Sequence, residues 1–278
     1  MPRLITVLRI GVLGFGLAAG LCGCNEFGDV TASIASSSAQ PPSDRESLRA
    51  YTEHWGKVYA DKPGEKYASI NYARGLRAET RYKEAVAVMQ TAAVKLPKDY
   101  EVLGEFGKAL ADEGDLQQAR DVLSRSYPED RPSWTLLSAQ GSVADRLDDH
   151  ARAQEFYRLA LKIAPDEPAV LSNLGLSYAL AKNLSAAEET LRQAAAQPKA
   201  DIRVRQNLAL VLALEGKFGE AEEVSAKDMS PEEARKNVEA IRGMIAQNDS
   251  WRALQSGGAG RKKAEAAKAP KVIEGAAG

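Results

Sequence analysis

Cysteine and histidine are scarce in this chain of 278 residues, at two each, and aromatic residues make up only 6% of it. Both cysteines, Cys22 and Cys24, fall in the first 24 residues. The body of the chain therefore has no disulfide, no thiolate metal site, no redox pair and no cysteine nucleophile. His54 and His150 stand far apart, and neither sits in a metal-ligand or catalytic-triad pattern. A phosphate-cradling loop is missing too, since Gly104 and Gly107 lie inside a helical pattern rather than between a strand and a helix. Charge of one sign is also absent: 37 basic residues face 38 acidic ones, so no whole-chain field points to nucleic acid or to an anionic membrane surface. The expectation is a chain that is not an enzyme, with no cofactor, metal, small-molecule substrate or nucleic-acid partner. A hydrophobic content of 44% and a charged content of 27% suit a globular protein with a buried core.

The first residues do not belong to that core. Arg3 and Arg9 precede an apolar run from Ile10 to Leu21, the layout of a secretory signal. At about 12 residues the run is too short to span a bilayer comfortably. Leu21, Cys22, Gly23 and Cys24 resemble the bacterial lipobox, and Cys24 fits it better than Cys22 because the residue before Cys22 is the bulky Leu21. The resemblance implies that residues 1–23 are a lipoprotein signal peptide and that Cys24 carries the lipid, with two or more acyl chains holding stably where one does not. Asn25 after the cysteine then leans toward the outer membrane, with the chain facing the periplasm. Residues 24–43, rich in Ser and with Pro41 and Pro42, read as a flexible tether.

The body of the chain is built on an internal repeat. Ala85, Ala119, Ala153, Ala187 and Ala221 are spaced by 34 residues, and twelve positions before each stands another small residue: Ala73, Gly107, Gly141, Gly175 and Ala209. Only a side chain of alanine size or less lets two helix backbones cross closely. Large apolar residues precede the first small site in four units, at Tyr72, Phe106, Leu174 and Leu208, while the third unit departs with Gln140. Met89, Leu123, Tyr157 and Leu191 come four positions after the alanine, and Ala92, Ser126, Ala160 and Ala194 seven positions after it. Pro97 and Pro165 end second helices, and Gly114 and Gly216 mark tight turns. This pattern resembles the tetratricopeptide repeat. It implies an all-α solenoid of helical hairpins over residues 44–255, with repeats starting near 66, 100, 134, 168 and 202. The fifth unit carries Ser225 and Asp228 at positions that are apolar or small elsewhere, so its second helix is expected to pack loosely. His150 holds the aromatic position of Tyr82 and Phe218, which makes packing the expectation for it.

Both ends read as capped, as a stack needs if its terminal apolar faces are not to meet water. Residues 44–62 place Leu48, Tyr51, Trp55, Val58 and Tyr59 at helical spacing, the second helix of an amino-terminal half-repeat. Ser230, Pro231 and Glu233 form a capping-box sequence that opens a closing helix over 230–248. Beyond Trp251 and Leu254, residues 256–278 turn to Gly, Ala and Lys and read as a disordered tail.

By the repeat resemblance, first helices line a concave face. The positions that meet peptides in the family are here Tyr67, Ile70, Arg74 and Arg77, then Glu101, Lys108 and Asp112, then Leu176, Leu180, Arg203, Gln206, Leu210 and Leu214. The groove is expected to be charged at its amino end and apolar at its carboxyl end, with the four leucines either taking a ligand or burying against the closing helix. Lipobox, spacer, repeats, the run from Leu171 to Ala195 and the closing Trp251 to Gln255 together resemble the TadD family of tight-adherence (Flp) pilus assembly lipoproteins. That resemblance implies a membrane-anchored interaction scaffold whose partner is the pilus secretin or another component of the secretion machinery. The alternatives are a repeat lipoprotein serving another envelope or secretion complex, and an envelope enzyme subunit.

Overall fold

A computed structural model describes residues 40–247 of the chain. Cys24, the tether as far as residue 39, Trp251, Leu254 and the lysine-rich tail lie outside the described residues. Within them every regular element is a helix. A lone helix α1 (Arg45–Asp61) precedes five hairpins: α2 (Lys66–Ala78) with α3 (Tyr82–Lys95), α4 (Tyr100–Glu113) with α5 (Leu116–Leu123), α6 (Trp134–Arg146) with α7 (His150–Ile163), α8 (Pro168–Leu180) with α9 (Leu184–Ala195), and α10 (Ile202–Leu214) with α11 (Phe218–Ser225). Helix α12 comes last, over residues 231–247. First helices thus open at 66, 100, 134, 168 and 202.

Local chemistry sets these starts. Asp44, Asp99, Asp115, Asp149, Asn183 and Asp201 each accept a backbone N–H two or three residues on, satisfying donors that the first turn leaves free. Between the two helices of every hairpin one residue adopts the left-handed conformation: Thr80 (φ 62°), Gly114 (109°), Asp148 (63°), Lys182 (65°) and Gly216 (79°). The turn is therefore a property of the repeat geometry, and three units make it without glycine.

Packing explains the small residues. A Cβ added at Gly107 would lie 2.6 Å from the Leu123 side chain, at Gly141 2.6 Å from Tyr157, and at Gly175 2.6 Å from Leu191. Ala85, Ala119, Ala153, Ala187 and Ala221 have no exposed surface. Large side chains of the second helix fill the space that the small ones leave on the first, and this contact recurs along the stack.

Two units bend the pattern, the third and the fifth. Gln140 is buried and donates to the Leu123 carbonyl at 2.9 Å and to the Tyr127 hydroxyl at 3.2 Å, so a polar plug seals the end of the short α5 where other repeats use an apolar side chain. His150 does more than pack: its Nδ1 lies 2.9 Å from Asp145 Oδ1. In the fifth unit Ser225 is buried, and Asp228 accepts from Arg205 Nε at 2.6 Å, so an ion pair stands where apolar contact stands elsewhere.

Both ends are closed as the sequence implies. Tyr51 of α1 is buried and donates to Asn71 Oδ1 at 2.9 Å. At the other end Ser230 Oγ lies 2.7 Å from Glu233 Oε2, the Ser230 N–H donates to the same oxygen at 3.0 Å, and Ala234 and Val238 of α12 are buried.

Candidate partner-binding face

Successive first helices touch one another across repeats whereas successive second helices do not, so α2, α4, α6, α8 and α10 line the inner side of the stack. At the amino end this face carries an ion cluster. Glu105 of α4 lies 3.0 Å from Arg74 Nη2, 3.2 Å from Arg77 Nη1 and 3.1 Å from Lys108 Nζ, while Arg77 Nε reaches Asp112 at 2.6 Å. Lys66 bridges Asp99 and Glu101 at 3.0 and 3.1 Å. Burial alone would raise the Glu105 carboxyl, but Lys108, Arg74 and Arg77 outweigh it and hold the group down at about 2.

Toward the carboxyl end the face changes character. Leu180 and Leu214 keep 36% and 38% of their surface exposed, and Leu176 and Leu210 are half-buried one turn earlier on the same helices. Four residues advance a helix by about 6 Å, and packed helices lie about 8–10 Å apart. Ideal geometry of this kind sets the four leucines, two on each of two touching helices, at the corners of a two-by-two grid. The core beneath is built from other residues, among them Leu208, Val211, Leu212 and Val238 of the closing helix.

Between these two regions lies a buried polar knot. Asp145 at the end of α6 accepts from Ser177 Oγ at 2.7 Å and from the Tyr157 hydroxyl at 3.2 Å, and faces His150 at 2.9 Å. Burial raises the Asp145 carboxyl, and the His150, Ser177 and Tyr157 hydrogen bonds only partly oppose it. Burial likewise pushes the Tyr157 phenol up.

A family model described as a tetratricopeptide repeat matches residues 136–167. The solved structures agree in fold over a longer stretch. PilW, described as a widely conserved type IV pilus biogenesis factor, superposes with a TM-score of 0.61 at 14% identity, covering 69% of this chain and 91% of that one. The Cut9-Hcn1 complex of the APC/C gives 0.56 at 21% identity over 69% of this chain, which spans only 40% of the Cut9-Hcn1 chain. A monomeric mutant of IFIT1 with m7Gppp-AAAA gives 0.58 at 15% identity, covering 76% of this chain and 52% of that one. No curated protein matches. The fold is a tetratricopeptide-repeat solenoid.

The contact residues that the repeat resemblance implies fall on this inner face with different surroundings. Ile70 is removed from the set, because it has no exposed surface and belongs to the core of the first two repeats. Arg74, Arg77, Lys108 and Asp112 are committed to one another around Glu105, and Glu101 is paired with Lys66. Tyr67 is exposed at the start of α2, Arg203 is exposed and paired with Asp201 at 2.9 Å, and Gln206 is half-buried. Glu105 is not among the positions that the repeat pattern singles out, although it occupies the repeat position of Asn71, Asn173 and Asn207. An acid in place of an asparagine was the available signal.

The knot at Asp145 has no sequence signature either, because its members are brought together only by the pairing of α6, α7 and α8. Its chemistry is structural. A serine nucleophile needs the imidazole between itself and the carboxylate. Here the carboxylate sits between Ser177 and His150, and Ser177 donates to it directly. Among the described residues no group of three His, Cys, Asp or Glu side chains is placed to hold a metal ion, and no helix is long and apolar enough to cross a membrane.

Proposed function

We propose that this chain is a lipid-anchored envelope scaffold for assembly of a Flp or type IV-like pilus, and that it holds a segment of the secretin or of another secretion-machinery component against its fourth and fifth repeats. The observation that carries the reading is the leucine grid. Leu176, Leu180, Leu210 and Leu214 offer apolar surface on the inner face at a spacing that an amphipathic helix or an extended chain end can match, while the amino-terminal half of the same face keeps its charges paired internally. Support for the pathway comes from the lipobox at Cys24, the resemblance to the TadD family and the shared fold of PilW. The anchor places the scaffold at the periplasmic side of the outer membrane in this reading.

The test replaces Leu180 and Leu214 together with Asp in the tagged, full-length protein, with capture from envelope extracts and mass spectrometry as the readout. Secretin or pilus-assembly components captured by the unaltered protein are expected to disappear, with the melting temperature unchanged. Undiminished capture, or capture of a different envelope complex by both forms, would overturn the reading.

A further inference from the structure

We infer that the junction between the second and third repeats is a hinge, at which the ion-paired part and the leucine-lined part of the inner face change their mutual angle. Three features of the described residues converge on this junction.

The first is helix length. Second helices α3 and α7 have 14 residues each and α9 has 12, whereas α5 has 8, and residues 124–133 run on without helix through Pro128 and Pro132. Helix α6 therefore has one or two turns fewer to lean against than the first helix of either neighbouring repeat. Its packing on α4 and α5 is accordingly the least extensive of the repeat-to-repeat interfaces.

The second is a missing rung. Elsewhere on the inner face a polar side chain at one repeat position fastens each unit to the one before. Asn71 accepts from Tyr51 at 2.9 Å, Glu105 holds Arg74 and Arg77, Asn173 donates to Ser138 at 3.2 Å, and Asn207 donates to Ser172 at 2.9 Å. In the third repeat that position is Ala139, which can make no such bond.

The third is what remains. Leu136, Ala139, Val143 and Leu147 pack against the core of the second repeat, and a Cβ added at Gly104 would come within 2.9 Å of Leu136. Apolar contact of this kind is non-directional and tolerates rotation that a hydrogen-bonded rung does not. Two long side chains tether the sides, Gln140 to the Leu123 carbonyl and Arg146 to the Ala111 carbonyl. Each repeat of a solenoid is stabilised chiefly by its neighbours, so the interface with the smallest contact is the one that yields first. The Gly104–Leu136 contact serves as the pivot and the two tethers limit the swing.

Spin labels test this directly. Ala87, Asp121, Glu155, Glu189 and Glu223 are exposed or half-buried and occupy one repeat position on α3, α5, α7, α9 and α11. In the full chain, with Cys22 and Cys24 replaced by Ser, cysteine pairs at 87/155, 121/189 and 155/223 each span two junctions. Only the first two pairs share the junction between repeats two and three. Their distance distributions are expected to be at least about twice as wide as that of 155/223, and Gln140→Ala should widen those two alone. Equal widths for all three pairs overturn the hinge. A broad 87/155 beside a narrow 121/189 overturns it as well, because the motion would then lie between the first two repeats.

Discussion

Glu105 stands where other repeats carry asparagine, and that single exchange turns a hydrogen-bonded rung into an ion cluster with a pH dependence. Its folded pKa of about 2 lies below the ordinary value of 4.5, because the surrounding cations outweigh the burial that alone would raise it. The stabilisation is therefore complete above about 4.5 and is lost as pH falls toward 2. It amounts to something on the order of 3 kcal/mol. Melting temperature measured over that window should fall more steeply for the unaltered protein than for Glu105→Gln. Asp145 acts with the opposite sign: its raised carboxyl means that stability declines as pH rises through its folded value, so Asp145 does not contribute to the acid loss, and because Glu188, Asp99, Asp201 and Asp228 are also held low, the Glu105 share is the difference between the two proteins. Thr80 supplies a second case. It is β-branched and sits at φ 62°, in the turn that Gly114 and Gly216 make without strain. Thr80→Gly is expected to stabilise the protein by about 1 kcal/mol in urea unfolding, whereas Gly114→Thr should destabilise it by a similar amount.

At the scale of the element, helix starts were legible, as were the ends that Pro97, Pro165, Gly114 and Gly216 mark, but the ends of α5 and α11 were not. The starts arise from capping Asp and Asn residues and from a 34-residue period that forces every first helix to meet its neighbour at the same place. The unmarked ends depend on what the last turn packs against. Beyond the end of α5 the Leu123 carbonyl accepts from the Ser126 N–H at 3.1 Å, from the Ser126 hydroxyl at 2.7 Å and from Gln140 Nε2 of the next repeat at 2.9 Å, so the chain just after α5 closes part of this end and the Gln140 contact, which has no trace in the sequence of α5 itself, closes the rest. Helix α11 stops at Ser225, whose buried hydroxyl has no hydrogen-bond partner among the described residues. The expectation of loose packing in this unit needs that refinement: Arg205 and Asp228 fasten the segment just beyond α11, and the unsatisfied hydroxyl of Ser225 is a weak point. Ser225→Ala should accordingly raise the unfolding free energy by about 1 kcal/mol, since it removes an unsatisfied polar group without changing the fit. A lower stability in the same urea titration would mean that the hydroxyl has a partner.

For the whole molecule, the anchor and the inner face carry the proposed role together. Cys24→Ala should abolish metabolic labelling with palmitate and release the protein from the membrane fraction, and unchanged labelling would remove the anchor from the reading. The sequence by itself determined the architecture, because a 34-residue period of small residues admits one way of crossing helices closely, and five copies in register leave no room for another. It also located the leucine grid, because positions repeat from unit to unit as the helices do. Only the tertiary structure decided which inner-face residues remain available. Ile70 is buried by its neighbours, Arg74, Arg77 and Lys108 converge on one carboxylate of the second repeat, and Ser177 and His150 meet at Asp145 from separate helices. Repeat periodicity dictates where a backbone goes, whereas the pairing of charges and the burial of a side chain depend on which residues of the adjacent repeat lie within a few ångströms of it.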